Sequence, residues 1–468
     1  MEAATAPRGA APATQDGLKR AISRNMLLLF VVGDVLGAGI YALVGTIGDR
    51  VGGAIWASFL LAIVLAFFTA VAYAELVTKY PRAAGAALYV NKAFGVPFVT
   101  FMVAFAVMCS GLGSASTLAR AFGGDYLGEF VSVPTVLVAF AFLIVVAAIN
   151  ARGIGESVKL NVGFTLIELS GLVLVVVIGA AALFDGVGDP GRALEIKDGE
   201  ALLPAVMAGA GLAFYAMIGF EDSVNVAEEA RDPQRNYPRA LFGGLLIAGL
   251  VYLAVSVVAS MAVPTAKLAA SDGPLLEVVQ LGPLAVNTKL FAAIALFAVA
   301  NSALINMIMA SRLLYGMSAQ GIVPAAFSKV LPDRRTPWVA IAFTTLLAMI
   351  LVSTGDLSTL ADMTVLLLLT VFALVNVSVL VLRRDDVGHD HYRAPTLLPV
   401  VGAGISIAVM FTKDADVFLR AGALLLVGVA FWLVNLAALR GRGRFSTEDV
   451  PGAEEPEPRP GGRTPSSS

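Results

Sequence analysis

The chain has 468 residues, of which 58% are hydrophobic and 14% charged, with a formal net charge of −2 at pH 7. Soluble proteins carry roughly 25% charged residues, so this chain lacks the polar skin that a soluble fold of its length requires. An ordinary soluble domain is excluded, and the small net charge is uninformative because it averages two opposite faces.

Residues 1–20 are rich in Pro, Ala, Gly and charge and read as a disordered, solvated tail. The first span, 25–48, is apolar except for Asp34. It is long, with basic flanks at Lys19, Arg20 and Arg24 and no short cleavable signal before it, so it is expected to be retained. Over residues 33–45 it reads GDVLGAGIYALVG. Gly33, Gly37 and Gly39 each cost a helix about 1 kcal/mol relative to Ala. At ~1.5 Å per residue from Asn25, Gly37 lies about 18 Å in, near the middle of a ~30 Å hydrocarbon core. Two readings stand. Gly33 and Gly37 form a GxxxG pattern that packs helices closely. The clustering together with Asp34 favours instead an unwound break, whose second half-helix offers amide groups to a carboxylate.

Charge-free stretches follow at 52–74, 93–119 and 130–151, each near or above the ~20 residues that cross a bilayer. Glu75, Arg82 and Lys92 cluster at the inner end of the second span, where salt bridges anchoring the loop are expected. The one cysteine, Cys109, lies inside a span, so there is no disulfide framework. The fifth span, 160–184, is apolar except for Glu168.

The sixth span covers 201–220 and runs on as GLAFYAMIGFEDSVNVAEE over 211–229. It enters from outside, reaches residues 215–219 at mid-depth, and then carries Glu221 and Asp222. Each such acid costs about 2.5–3.5 kcal/mol on insertion scales and needs a wet or protein-lined setting. A break around Ile218 and Gly219 exposes the carbonyls that end the first half-helix, which suit an ammonium. Irregular spans one and six lie five apart, as corresponding members of two inverted five-helix repeats do. Those repeats are placed at about 25–184 and 201–382.

Glu228, Glu229, Arg231 and Arg235 close the sixth span on the inner side as candidates for a gate network, with Pro238 starting the seventh. Further charge-free stretches run 240–266, 290–311, 336–355, 363–382, 394–412 and 421–439. Asn301, Ser302 and Asn306 in the eighth span either face a polar site or bond across helices. Glu221, Asp222, Asn301 and Ser302 are the candidates for its polar lining. Arg383, Arg384 and the run 440–444 read as topological anchors. His389 and His391 are too few for a buried metal or histidine-based catalytic site. Residues 446–468 read as a second disordered tail. Threading twelve spans with the amino terminus inside puts 24 of the 32 Lys and Arg in cytoplasmic segments and 8 outside. This positive-inside bias places both termini in the cytoplasm and a transporter domain over 21–445.

The strings GDVLGAGIYALVG, AYAELVTKYPRAAGAALYVNKAFG (72–95), NARGIGESVKLNVGFTLIEL (150–169), IGFEDSVNVAEEARDPQRNYPRAL (218–241), ASRLLYGMSAQGIVP (310–324) and the late VLRRDD…YRAP occur in order. Together they resemble the amino acid permeases of the amino acid–polyamine–organocation (APC) superfamily over nearly all of the hydrophobic region. The resemblance implies an all-α membrane protein of twelve transmembrane helices: a LeuT-like 5+5 inverted repeat with helices 1 and 6 discontinuous, plus two extra helices at about 394–440 that pack at its edge or in a homodimer. It implies that backbone amides of Leu36, Gly37, Ala38 and Gly39 hold the substrate carboxylate, and carbonyls of Phe214, Tyr215, Ala216 and Ile218 its amine. Tyr215 stands where an aromatic covers the occupied site; ordinary helix packing is the other reading for Phe214 and Tyr215.

One departure matters. Proton-coupled relatives often carry a lysine in the fifth span, in a pattern similar to T-x-I-K, where this chain has Thr165-Leu166-Ile167-Glu168. In the family's fold that span lies beside the first and eighth, where sodium-coupled cousins bind a cation. Glu168 is therefore a candidate proton carrier, because a buried carboxyl holds a proton more readily than an exposed one, with Asp34 a second and coupled candidate. Bonding to Ser, Thr or Asn across a helix interface is the alternative for Glu168. The expected function is import of an amino acid across the cytoplasmic membrane by alternating access, with the proton as coupling ion; sodium coupling is left open. An amino acid/amine exchanger or a polyamine permease is the alternative. No Walker motif, zinc-ligand spacing or nucleophile elbow appears, and the inner loops are too short for an ATPase domain. An enzyme, a cofactor, a metal and a nucleic-acid partner are not expected. The substrate's side chain is not legible.

Overall fold

The computed structural model describes residues 22–81, 85–152, 158–281, 286–319, 321–334 and 336–440. The two expected tails, Lys19, Arg20, Arg82 and residues 441–444 lie outside them, as does the side chain of Glu228. Among the described residues the chain is helical throughout, and the one β-bridge pairs Ile22 with Ala230.

Runs of apolar residues without breakers give helices because only a helix satisfies every backbone group in hydrocarbon. In chain order they are α1 (Arg24–Val35), α2 (Gly39–Val51), α3 (Ile55–Lys79), α4 (Gly85–Phe94), α5 (Pro97–Phe122), the single turn α6 (Asp125–Gly128), α7 (Thr135–Ala151) and α8 (Val158–Phe184). Next come α9 (Leu202–Met217), α10 (Pro233–Ala262), short α11 (Thr265–Ala270) and α12 (Pro274–Leu281), α13 (Thr288–Ala319), α14 (Trp338–Thr354), α15 (Leu357–Leu382), α16 (Leu397–Met410) and α17 (Ala415–Arg440). Eight helices are long and apolar enough to cross a membrane, and α1 with α2 makes a ninth candidate bent by 43°. Three shorter apolar helices, α7, α14 and α16, accompany them.

Prolines explain where the helices depart from the charge-free stretches. Helix α7 starts at Thr135, well inside its stretch, because Pro134 disfavours helical geometry in the residue before it. Pro238 does not start the seventh span: α10 begins at Pro233 and holds Pro238 inside. Pro233 fits the first turn, whose N–H needs no partner, after Asp232 at φ 47°. Pro238 then deletes one hydrogen bond of the helix.

Helix α1 packs on α10 and α8, α2 and α3 pack on α9, and α8 also meets α13. Helices α16 and α17 lie against α15, with α3 beside α16 and α5 beside α17. Two charged clusters tie α15 to its neighbours. At one end Arg383 donates to both carboxylate oxygens of Glu75 at 2.8 and 2.7 Å, and the Ala394 amide donates to the same group at 2.9 Å. The loop anchor at Glu75 is thus made with Arg383 rather than Lys92, which stacks 5.0 Å over the Tyr80 ring. At the other end Asp362 accepts from Arg50 Nη2 at 2.6 Å and from Lys413 Nζ. The Asp362 and Lys413 side chains are 3% and 1% exposed.

The segment leading into α1 is held to the segment after α9. Ile22 N donates to Glu229 O at 3.0 Å, and Arg231 N donates to Ile22 O at 2.9 Å.

Candidate substrate site

The site forms where two helices stop in mid-bundle. Helix α1 ends at Val35, Leu36 N still donates back to Val32 O at 2.8 Å, and α2 resumes at Gly39 after Gly37 and Ala38. Helix α9 ends at Met217; Ile218 turns to extended backbone at ψ 146° and Gly219 takes φ +125°. A 3-10 segment, Asp222–Glu229, continues from there.

Glycine is required at this joint for two reasons. A φ of +125° is one that L side chains rarely adopt, and a Cβ on Gly219 would sit 2.4 Å from the Asp34 carbonyl oxygen. A Cβ on Gly39 would sit 2.7 Å from Ala216 Cα. The two breaks therefore touch, backbone to backbone, and a Cβ on Gly37 would meet Ser302 Oγ at 3.0 Å.

The polar groups follow from helix termini. The first amides of α2 have no partner within their own helix, and Ala38 N donates to Ser302 Oγ at 3.3 Å. The last carbonyls of α1 and α9 are equally without helical partners, and the Tyr252 hydroxyl on α10 sits between them, donating to Val35 O and to Ala216 O, the latter at 3.1 Å. Ile218 N donates to Tyr215 O at 3.2 Å, and Gly219 N to Glu221 Oε2 at 2.9 Å.

A cavity of about 60 Å³ lies between the breaks. Of the residues expected to hold the substrate backbone, Gly37, Ala38, Gly39, Tyr215, Ala216 and Ile218 line it. Leu36 and Phe214 do not; Leu36 is fully buried, and Phe214 packs edge-on against Phe372 at 6.0 Å. Tyr215 borders the cavity with its hydroxyl 3.0 Å from Ser114 Oγ. Asp34, Asp222, Asn301, Ser302 and Asn306 line it as well, whereas Glu221 is turned back onto the Gly219 amide.

Glu168 stands just behind this wall. Its neighbours Leu166 and Ile167 are exposed on α8, while Glu168 is 1% exposed and points inward. Its Oε1 accepts from Asn301 Nδ2 at 3.2 Å, so one amide separates it from the cavity. Its backbone carbonyl accepts from the Tyr41 hydroxyl at 2.7 Å. Both readings of Glu168 thus meet in one contact, a bond across a helix interface to a residue of the cavity wall.

Sequence reasoning missed Tyr252 and two residues that line the cavity, Ser114 and Leu118. Tyr252 sits near the middle of the apolar stretch 240–266, and a hydroxyl at that depth is the signal that was there to be read. Among the described residues no group of three or more His, Cys, Asp and Glu is arranged to hold a metal ion.

The profile of the amino acid permease family matches residues 23–438. The chain is 26% identical over 402 residues to the branched-chain amino acid permease of Bacillus subtilis, covering 81% of this chain and 84% of that protein. It is 25% identical over 417 residues to the methylthioribose transporter of the same organism, covering 84% and 88%. It is 29% identical over 384 residues to the vacuolar cationic amino acid transporter 4 of Arabidopsis thaliana, covering 78% and 64%. With apolar helices throughout and a profile match over most of its length, this multi-pass membrane protein belongs to the amino acid permease family.

Proposed function

We propose that the protein imports an amino acid across the cytoplasmic membrane by alternating access, in symport with protons. The observation that carries this reading is the meeting of an amide-presenting helix end, at Gly39, with a carbonyl-presenting one, at Met217, beside one cavity. An amino acid's carboxylate and ammonium are complementary to those two ends. In this reading the amides of Gly37 and Gly39, and that of Ala38 on leaving Ser302 Oγ, hold the carboxylate, the carbonyls of Tyr215, Ala216 and Ile218 hold the ammonium, and the Tyr215 ring covers the cargo. Leu36 and Phe214 act as packing residues beside it.

The same proposal extends to the frame. Eight long helices, one bent pair and three shorter apolar helices support twelve crossings, arranged as inverted repeats over about 25–184 and 201–382 with two helices added after them. Both termini are cytoplasmic. Relatives named for branched-chain and cationic amino acid transport support amino acids as cargo.

Proton coupling is assigned to Glu168. Its burial supports the assignment, as does its contact through Asn301 with the cavity. Uptake of labelled amino acids into proteoliposomes, with and without an inward proton gradient, tests the reading. Wild-type protein accumulates amino acid only with the gradient, and Glu168→Gln loses that accumulation while still exchanging labelled for unlabelled substrate. Accumulation that persists in Glu168→Gln overturns the coupling role. Uptake that needs preloaded internal substrate and ignores the gradient identifies an exchanger instead.

A further inference from the structure

Asp362 is shared by two cations that differ in what holds them. Its Oδ2 accepts from Arg50 Nη2 at 2.6 Å and its Oδ1 from Lys413 Nζ. Arg50 stands in the last turn of α2, at the far end of the bent pair from Ile22. Lys413 comes from the loop that joins α16 to α17. Helices α2 and α15 each pack on α9, and the Arg50 side chain crosses from one to the other.

The surroundings of the two cations are unequal. Arg50 is partly exposed, so water beside the guanidinium takes over its bonds when it leaves the carboxylate. Lys413 is buried. Its loop is fixed by bonds from Lys413 N to Met410 O at 3.2 Å and from Thr412 Oγ1 to Val409 O at 2.8 Å. The ammonium lies in a slot that glycine leaves open, since a Cβ on Gly211 of α9 would sit 2.5 Å from Lys413 Nζ. Lys413 is therefore bonded to α15 and touches α9 where that helix carries no side chain to catch on it.

Alternating access, in the reading above on which this inference rests, requires α2 to tilt, because its amino end borders the cavity. Tilting draws Arg50 off Asp362. A buried carboxylate stripped of its partner carries a large penalty, and with Arg50 as sole partner that penalty would oppose every cycle. We infer that Lys413 is the standing counter-ion of Asp362: it keeps the carboxylate paired while Arg50 lets go, so the contact between α2 and α15 is made and broken at each turnover. Lys413 is a positioning residue, outside the cavity lining. Helices α16 and α17 thereby serve transport through their loop, which supplies the charge that stays.

The test is initial-rate uptake by the full chain in proteoliposomes, with whichever labelled proteinogenic L-amino acid the wild type takes up fastest. Lys413→Met is expected to lower the maximal rate about tenfold or more and to leave KM within about twofold, because the cargo's own contacts are untouched. Adding Asp362→Asn removes the stranded charge, and the double variant recovers a maximal rate within about threefold of wild type. Arg50→Gln slows uptake less than Lys413→Met does, since Asp362 keeps its buried partner. If Lys413→Met is not recovered from membranes, Lys413→Gln replaces it, neutral yet still able to donate to Asp362. A Lys413→Met rate equal to wild type overturns the role. So does a double variant as slow as Lys413→Met, because the lysine then acts through packing alone. Both of those results leave amino acid transport in place. Wild-type protein that takes up no amino acid overturns the transport reading and this inference with it.

Discussion

The Asn301 amide is bound to Glu168 Oε1 at 3.2 Å while itself bordering the cavity. A buried carboxyl and the cavity therefore share one side chain. Replacing that amide leaves Glu168 without its donor, at a cost of about 1–3 kcal/mol for an unsatisfied buried group. Asn301→Ala is expected to lower the maximal rate of gradient-driven uptake about tenfold or more. Rates measured across external pH values in proteoliposomes check it, and an unchanged profile removes Asn301 from the coupling path.

The joint between the breaks gives a stability prediction. Gly219→Ala must place a Cβ at φ +125° and against the Asp34 carbonyl, which combines backbone strain of about 1–3 kcal/mol with a clash. Gly404, around which an added Cβ meets nothing within 4 Å, lies inside α16, where Ala is the better helix former by about 1 kcal/mol. Thermal unfolding in detergent should show a marked loss for Gly219→Ala and a neutral or positive shift for Gly404→Ala.

At Asp362 the order of effects follows from burial. Asp362→Asn leaves the Lys413 ammonium, 1% exposed, without its carboxylate, and breaking a buried pair in this way costs about 3–5 kcal/mol. Arg50 is 24% exposed, so water replaces part of what Arg50→Ala removes. The melting temperature is expected to fall further for Asp362→Asn than for Arg50→Ala; the reverse order contradicts the description of the cluster.

Asp356 supplies a pH dependence outside the membrane-spanning helices. Its side chain caps the start of α15, accepting from Thr359 N at 2.7 Å. Partial burial pushes its carboxyl up, but hydrogen bonds from the Thr359 amide and side chain and from Ser358 outweigh it, and the group is held below the usual carboxylate range. A depressed value in the folded state means the stabilisation is present above the unfolded-state pKa, about 3.9, and is lost as pH falls through the folded value. Asp356→Ala is expected to lose about 1 kcal/mol at neutral pH. Its difference from wild type should shrink on acidification below about pH 4, which melts recorded across pH reveal.

Much of the frame was legible because the signals were local. Gly37 and Gly39 crowd one apolar run, Gly219 precedes two acids, and Glu168 is the one charge in its stretch, so each announces itself against a monotonous background. The pairing of Arg50 with Asp362, 312 residues apart, was not legible, because a charge at a span end is adequately explained by water. Nor was Tyr252: its hydroxyl serves carbonyls on two other helices, and no spacing within α10 encodes that. Pro238 misled because a proline marks a helix start only in the first turn, and Pro233 had already taken that place.

The seam of Gly39 against Ala216 and Gly219 against Asp34 has a mechanical corollary. Two unwound joints in separate helices would bend independently if side chains cushioned them. With backbone bearing directly on backbone, neither half-helix can tilt without displacing its counterpart. On the alternating-access reading proposed above, the two joints are expected to move together rather than separately.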